Sequence, residues 1–288
     1  MTKFNTHQTA KILCGTTQAD AQQVLIAQSA KEIKLNRGWA PCLTVVLVGE
    51  HPSSLVYVGA KQKACKSVGI ESRVLKLGAN TPQAELQKII EDLNADSSVD
   101  GILIQLPLPN GLNANALLDI LNPEKDVDGL TPHNLGLLMS KRPAFIPCTP
   151  LGCMDLITQV IDPAGKKAVV FGRSILVGRP MALLLEAANA TVTIVHSFST
   201  NAKEIAREAD IVVAAIGQPN FITADYIKPG AVVIDVGMTR YENKLLGDVH
   251  ESVAAVAGWL TPVPFGVGPM TITKLLSNTV LAALRHAN

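Results

Sequence analysis

Residues 167–197 contain a strand, a turn and a helix start whose spacing suits the binding of a dinucleotide. A β-branched strand over 167–171 runs into GRSILVGRP, and a helix is predicted to begin near Val177 or Gly178. The free N–H groups and positive dipole end of such a helix bind a pyrophosphate. The usual GxGxxG spacing is absent, and any tight strand-to-helix turn favours glycine, so this motif alone leaves the ligand open.

The end of the next strand, TVTIVHS, bears on which dinucleotide would bind. NAD-binding units commonly carry Asp or Glu there, which holds the ribose 2′-hydroxyl, whereas this strand ends in His196 and Ser197. Arg173 stands in the first turn, and an arginine with hydroxyls and no acid suits a 2′-phosphate. The sequence therefore favours NADP over NAD. The alternative is that Arg173 binds the pyrophosphate or is solvated.

A second group of polar residues lies in the first half of the chain. Tyr57 and Lys61 are four residues apart on a predicted helix over 53–67, so they share a face. Gln105 falls at the end of an apolar strand, where open α/β sheets place ligand-binding groups. The structural alternatives are a half-buried tyrosine beside a solvated lysine, and an amide that caps neighbouring backbone.

The loop KDVDGL places Asp126 and Asp128 on either side of a valine. If the segment is extended, the two carboxylates point to opposite sides, and an Asp before Gly is usually a turn former. No His or further acid follows at a suitable spacing, so neither paired-carboxylate catalysis nor a metal site is expected.

The elements that must position these residues alternate along the chain. Helices are predicted over 18–36, 53–67, 81–96, 113–121 and 151–160, with a terminal helix from about Met270. Strands are predicted over 42–49, 72–77, 101–109, 167–171, 191–197, 211–217 and 232–238. This alternation predicts an α/β fold with mostly parallel sheets covered by helices. Residues 125–152 separate an α/β segment that ends in acidic and polar residues from the strand, turn and helix described first. This division predicts two domains, with a substrate bound where they meet.

Composition sets the class of protein. With 288 residues, 48% hydrophobic and 17% charged, the chain is expected to be globular with a large core. A net charge of +1, with Lys and Arg scattered among acids, argues against nucleic-acid binding. The five cysteines include no CxxC pair, and neither a signal-peptide core nor an apolar run of about 20 residues occurs, so a soluble cytoplasmic protein is expected.

Several longer motifs, from about Leu43 to Leu276, are similar to those of one family. The blocks YVGAKQKAC, DGILIQLPLP, KDVDGL, PCTPLG, GRSILVGRP, VVIDVGM and TPVPFGVGPMT occur in the order and spacing of the bifunctional methylenetetrahydrofolate dehydrogenase/methenyltetrahydrofolate cyclohydrolase proteins, the FolD family. The resemblance implies NADP-dependent oxidation of 5,10-methylenetetrahydrofolate to 5,10-methenyltetrahydrofolate, then hydrolysis to 10-formyltetrahydrofolate, a one-carbon step connected with purine biosynthesis.

The resemblance also implies a domain plan and partners. Residues 1–148 would form a folate-binding catalytic domain on which the C-terminal helix 270–288 packs, and 149–269 a Rossmann-like NADP-binding domain, with the active site in the cleft between them. A homodimer through the dinucleotide domain is implied, and no metal.

Residue roles carry over by motif. The resemblance assigns proton transfer in hydrolysis to Lys61, stacking on the folate to Tyr57, orientation of the lysine to Gln105, and binding of the pterin edge to Asp128. A lysine can serve if part of its population is neutral, and burial would lower its pKa. Further substrate contacts are implied for Leu106, Pro107, Pro264 and Gly268. Cofactor contacts are implied for Gly172, Arg173, Ser174, Gly178, Pro180, His196, Ser197, Gly217, Gly237, Thr261 and Pro262.

Two stretches depart from the family pattern. The final loop usually reads PVPGGVGPMT, and Phe265 here replaces the first glycine. A bulky side chain there is expected to adopt an ordinary φ and to alter contacts with substrate or nicotinamide. The early LDGK-like stretch has Cys14 and Thr16 in place of the acid and the lysine.

Two other functions stay open. One is a dehydrogenase with negligible cyclohydrolase activity, because a lysine in place need not have a suitable pKa. The other is a non-catalytic, dinucleotide-responsive regulator. The intact set of Tyr57, Lys61, Gln105 and Asp128 argues against the regulator.

Overall fold

The computed structural model describes residues 10–242 and 244–286, except for the side chains of residues 52 and 53. The expectations for the first nine residues and for the last two of the predicted terminal helix lie outside this part of the chain. In chain order the elements are β1 (Lys11–Ile12), α1 (Gly15–Arg37), β2 (Cys42–Val48), α2 (Pro52–Ser67), β3 (Glu71–Leu77), α3 (Gln83–Ala95), β4 (Gly101–Ile104), α4 (Ala114–Ile120), α5 (Pro132–Met139), α6 (Cys148–Thr158), β5 (Lys167–Phe171), α7 (Gly178–Ala187), β6 (Thr191–Val195), α8 (Ala202–Ala206), β7 (Ile211–Ala214), β8 (Val232–Asp235), β9 (Thr239–Tyr241), β10 (Lys244–Leu246), β11 (Trp259–Leu260) and α9 (Val267–His286).

These elements form two compact units. Residues 20–148 together with those from Ile272 onward form the three-stranded unit, and residues 10–19 together with Thr149–Thr271 form the six-stranded unit. The domain boundaries expected from the sequence gave residues 1–148 to one domain, whereas residues 10–19 group with the second half of the chain, because β1 pairs with β11.

The three-stranded unit contains a parallel sheet in the order β3-β2-β4. Every residue of β2 and β4 is buried, as the apolar runs at these positions require for a sheet covered on both faces. Leu43, Val45 and Leu47 face one core and Val46 and Val48 face the other. The chain leaves β2 for β3 on one side and later returns to β4 on the other, so the carboxyl ends of β2 and β4 flank a crevice of the kind that binds ligands.

The six-stranded unit has a parallel sheet in the order β1-β11-β8-β7-β5-β6 and a hairpin of β9 with β10. Strand β5 has β6 on one side and β7 on the other, so the turn after Phe171 lies at the point where the strand order reverses. Alternate residues of β5 enter two cores, Ala168 and Val170 one, Val169 and Phe171 the other. This is the layout of a doubly wound nucleotide-binding fold.

Two predicted elements have other bounds in the structure, and one of the observed helices was not predicted. The strand predicted over 101–109 ends at Ile104, because Pro107 and Pro109 have no N–H to donate to the ladder. Helix α5 was not predicted, and it begins where the Thr131 hydroxyl accepts the N–H of Asn134. The terminal helix begins at Val267, three residues earlier than expected. Among the described residues, no helix is long and apolar enough to cross a membrane.

Candidate active site

Lys61 is held at the carboxyl end of the sheet of the three-stranded unit. Its side chain is only 8% exposed, and Nζ donates to Oε1 of Gln105 at 2.9 Å. The amide of Gln105 is oriented in turn, since Nε2 donates to the carbonyl of Leu106 at 2.8 Å. The backbone N–H of Gln105 continues the ladder to the carbonyl of Val46 at 2.9 Å, which places the residue directly after β4. The lysine is therefore fixed beside the crevice between β2 and β4.

Burial and the nearby charges act on the pKa of Lys61 in opposite directions, and burial has the larger effect. Burial lowers the pKa of Lys61, and the nearby Asp128 carboxylate opposes that shift. Burial raises the pKa of Asp128, while Lys61 lowers it and Asp126 raises it. Burial also raises the pKa of the Tyr57 phenol, so Tyr57 stays neutral at ordinary pH. An amine with a depressed pKa next to a carboxylate is an arrangement suited to proton transfer.

The two aspartates of KDVDGL have different surroundings. Asp126 is buried, and its Oδ2 accepts the N–H of Thr131 and the side-chain amide of Asn134, both at 2.8 Å. Asp126 therefore fixes the loop before α5. Asp128 is half-buried and bonds to the thiol of Cys148, and its electrostatic partner is Lys61. The turn-forming role thus belongs to Asp126, and Asp128 is the carboxylate near the lysine.

Further predicted substrate residues are divided between the units. Leu106 and Pro107 follow Gln105 and are joined by a cis peptide bond, with Leu106 half-buried and Pro107 exposed. Pro264 and Gly268 lie in the six-stranded unit.

In the six-stranded unit, the turn after β5 is closely packed. A Cβ on Gly172, which has φ +106°, would lie 2.2 Å from the carbonyl oxygen of Ala215, and one on Gly178 would lie 2.2 Å from the carbonyl oxygen of Gly172. The hydroxyl of Ser174 accepts the N–H of Val177 at 3.1 Å and that of Gly178 at 3.4 Å. Only glycine fits at 172 and 178. The hydroxyl of Ser174 binds backbone N–H groups at the start of α7.

The cationic group of this turn is available to an anion. Arg173 is exposed, and no carboxylate of the described residues forms an ion pair with its guanidinium. Arg179, which the sequence analysis did not select, donates from Nε to the carbonyl of Arg173 at 3.2 Å. Pro180 is buried in the first turn of α7. The unpaired arginine beside a glycine turn at a helix start fits a dinucleotide phosphate.

The segment after β6 forms a hydrogen-bonded turn opposite Arg173. The N–H of His196 donates to Oγ of Ser199 at 3.0 Å, and the N–H of Phe198 donates to Nδ1 of His196 at 3.2 Å. Ser197 is exposed at this turn, and no acid occurs before Glu204. The absence of a carboxylate here is compatible with a phosphate on the ribose.

Two buried carboxylates that the sequence analysis missed hold the loops after β7 and β8. Oδ2 of Asp248 accepts the N–H groups of Ile216 at 2.7 Å and Gly217 at 3.0 Å. Oδ1 of Asp235 accepts the N–H groups of Gly237 and Asp248, both at 2.9 Å. Burial raises the pKa of Asp235 to about 7 and also raises that of Asp248. These acids fix the backbone at Gly217 and Gly237, both predicted to contact the cofactor.

The final loop corrects one expectation. Phe265 has φ +84°, in the left-handed region, although an ordinary φ was expected of a bulky residue there. Its carbonyl accepts the N–H of Gly15 at 2.9 Å, so the loop keeps a glycine-like conformation and Phe265 adopts it. The hydroxyl of Thr261 accepts the N–H of Asp235 at 2.7 Å, and Pro262 follows it; Pro264 is in a cis peptide bond.

No group of three or more metal-ligating side chains lies together in the part of the chain that the structure describes.

Comparison with known proteins identifies the family. Residues 13–128 match the tetrahydrofolate dehydrogenase/cyclohydrolase catalytic domain, and residues 147–287 match the NAD(P)-binding domain of the same proteins. The chain belongs to this family. The Bifunctional protein FolD of Moorella thermoacetica is 53% identical over 279 residues, which cover 96% of this chain and 99% of the relative.

Two solved structures of the family have the same fold. The FolD methylenetetrahydrofolate dehydrogenase/cyclohydrolase of Campylobacter jejuni has a TM-score of 0.93 and 42% identity, with 96% of this chain and 99% of the other covered. The Trypanosoma brucei FolD, solved with NADP and an inhibitor, has a TM-score of 0.91 and 37% identity, with 96% and 98% covered. The two-domain α/β fold and the family predicted from the sequence are confirmed, and the chain is a bifunctional dehydrogenase/cyclohydrolase, neither a dehydrogenase alone nor a regulator.

Proposed function

We propose that this enzyme uses Lys61 to transfer the proton in hydrolysis of 5,10-methenyltetrahydrofolate, and Arg173 to bind the 2′-phosphate of NADP in the preceding oxidation of 5,10-methylenetetrahydrofolate. The observation that carries the first part is the buried Lys61 amine, hydrogen-bonded to Gln105 and electrostatically coupled to Asp128.

The hydrolysis needs a proton acceptor. Water adds to the cationic amidinium carbon of the methenyl group and loses one proton. The bond from that carbon to N5 then breaks as N5 gains a proton, and the remaining hydroxyl loses its proton as the carbonyl of the 10-formyl group forms, so the reaction releases one proton overall. A neutral Lys61 can accept the proton from water and return it to N5, because burial favours the uncharged amine. Gln105 holds Nζ in one position for both transfers.

The remaining residues of the three-stranded unit would bind the folate. Asp128 would accept N–H donors from the amino-pyrimidine edge of the pterin, a charge-assisted contact. Tyr57, on the same helix face as Lys61, would stack on the ring system. Further folate contacts are proposed for Leu106 and Pro107, and, from the family resemblance, for Pro264 and Gly268.

The six-stranded unit would hold NADP, whose nicotinamide accepts the hydride when bound. The turn at Gly172, Ser174, Gly178 and Pro180 would receive the pyrophosphate. Arg173, His196 and Ser197 would lie at the 2′-phosphate, since the guanidinium has no carboxylate partner among the described residues. The protein then supplies orientation, because hydride loss from the methylene carbon needs no acid or base. Contacts near the nicotinamide would come from Gly217, Gly237, Thr261 and Pro262.

A coupled assay tests both activities. Purified enzyme is given 5,10-methylenetetrahydrofolate with NADP or with NAD, and reduced cofactor is followed together with the methenyl compound before and after acid quench, which closes the formyl product again. Reduced NADP with little methenyl compound until acid is added is the expected result. Accumulation of the methenyl compound to the level of a no-enzyme hydrolysis control would overturn the assignment of Lys61.

Assembly and location belong to the same proposal. We expect a cytoplasmic homodimer that pairs through the six-stranded unit, with its formyl product used in purine biosynthesis. The exposed side chains of Tyr241 and Leu245 on the β9–β10 hairpin are candidates for the contact. Analytical ultracentrifugation of the Tyr241→Glu, Leu245→Glu double variant should give monomer where the unmodified enzyme gives dimer.

A further inference from the structure

Phe198 is placed unusually for a large apolar side chain. It is 81% exposed, the highest value among the large hydrophobic residues described. Its ring lies under the guanidinium of Arg173, with 5.8 Å from Cζ to the ring centroid, and the ring of His196 meets it edge-on at 6.3 Å between centroids. Its backbone N–H is bonded to Nδ1 of His196, so the turn fixes where the ring projects. The ring is held in solvent rather than packed into a core.

We propose that Phe198 is a positioning residue that sets the preference of this enzyme for NADP, by holding the Arg173 guanidinium where the 2′-phosphate binds. This inference rests on the proposed role of Arg173. Phe198 itself needs no contact with the phosphate.

The physical basis is the order that the ring imposes on a long cationic side chain. The face of an aromatic ring attracts a cation within about 6 Å of its centroid, and the contact occupies one face of the guanidinium while its N–H donors in the plane stay available. No carboxylate of the described residues competes for those donors. Pre-ordering Arg173 reduces the conformational entropy lost when the phosphate binds, so NADP gains affinity and NAD, which lacks the 2′-phosphate, does not.

A double-mutant cycle on the full-length enzyme tests this. Dissociation constants for NADP and for NAD are measured by calorimetry for the unmodified enzyme, Phe198→Leu, Arg173→Ala and the double variant. We expect Phe198→Leu to weaken NADP binding by roughly two- to five-fold, the range of an exposed cation–π contact, and to leave NAD binding unchanged. In the Arg173→Ala background, Phe198→Leu should have no further effect on NADP.

Matched variants distinguish a specific effect on NADP binding from a general loss of folded structure. Phe221→Leu makes the same change at another partly exposed phenylalanine of the unit, whose ring lies 5.8 Å from that of Tyr226, and should leave the NADP affinity unchanged. Phe198→Tyr and Phe198→Trp keep an aromatic face and should retain the affinity, and they serve as the test if the leucine variant proves unfolded in a thermal melt.

The measured affinities test the role of Phe198 and the role of Arg173 separately. Equal weakening of NADP and NAD by Phe198→Leu would mean that Phe198 contacts the shared adenosine, and it would overturn the proposal. Selective loss of NADP in Arg173→Ala without any loss in Phe198→Leu would overturn it as well, while the role of Arg173 would stand. If Arg173→Ala affects both dinucleotides alike, the role of Arg173 fails and the inference falls with it.

Discussion

Replacing Gln105 by glutamate should move the pH dependence of hydrolysis toward alkaline pH. The Oε1 atom of Gln105 lies 2.9 Å from Nζ of Lys61, so the substitution introduces a carboxylate next to the amine. An adjacent negative charge stabilises the ammonium form and raises the pKa of Lys61. Because the neutral amine accepts the proton from water, the active form is then populated only at higher pH.

The size of this effect follows from the distance. At 2.9 Å and an effective dielectric constant of about 20, two unit charges interact by roughly 6 kcal/mol, which is an upper limit. An opposite charge this close typically shifts a pKa by about 1–3 units. The acidic, ascending limb of the pH–rate profile for hydrolysis should move up by the same number of pH units, and at a fixed pH below the limb the rate should fall by roughly 10- to 1000-fold.

The assay is hydrolysis of 5,10-methenyltetrahydrofolate across a pH series, with spontaneous hydrolysis subtracted at each pH. Gln105→Met removes the acceptor without adding charge and should move the limb in the opposite direction. Gln83→Glu makes the same change on α3 at a residue bonded to Asn113 and should leave the profile unchanged. An unshifted limb in both Gln105 variants would refute the assignment of Lys61 as the titrating group.

Three further predictions concern stability. Asp100→Ala should cost about 3–5 kcal/mol in urea unfolding, because Asp100 is 1% exposed and binds Arg37 through both oxygens, whereas removal of the exposed carboxylate of Glu208 should change nothing measurable. Burial raises the pKa of Asp235 to about 7, so the native state keeps a proton that the unfolded state releases from about pH 4. The resulting stabilisation should fall as pH rises from about 4 to about 7, and Asp235→Asn should lose that slope in unfolding measured across pH. At Phe265, with φ +84°, the glycine variant should be more stable than the alanine variant by about 1 kcal/mol in thermal unfolding, and the reverse order would contradict the left-handed backbone.

Local signals in the sequence predicted most of the helices and strands, and they singled out Lys61 and Gln105, which the structure places side by side. Gly38 and Gly69 follow two of the predicted helices and have φ of +89° and +78° after α1 and α2, as is typical of glycines at helix ends. The hydrophobic run before Gln105 predicted a buried strand, and its polar end residue indeed lies beside Lys61. Tyr57 and Lys61 are four residues apart on α2. This spacing predicts that both side chains lie on one face of the helix, because it depends only on helix geometry.

Features that depend on tertiary structure could not be predicted in this way. The roles of Asp126 and Asp128 differ because only Asp126 meets Thr131 and Asn134 after the chain folds. Asp235 forms its hydrogen bond with the N–H of Val249 across 14 positions of sequence, which no local pattern indicates.

The φ angle of Phe265 also could not be predicted from local propensity. A phenylalanine predicts an ordinary φ, and the contact of its carbonyl with the distant Gly15 accompanies a left-handed one. Arg179 carried no signal beyond its charge, and its bond to the carbonyl of Arg173 appears only in the folded turn.

The central claim is that one buried lysine serves hydrolysis and not hydride transfer. The most direct measurement is the ratio of the two activities in Lys61→Met, which keeps the volume and apolar stem of the side chain while removing the amine. We expect loss of 5,10-methenyltetrahydrofolate hydrolysis to the uncatalysed rate, with NADP reduction retained and the methenyl compound accumulating. Hydrolysis at an undiminished rate in this variant would contradict the account.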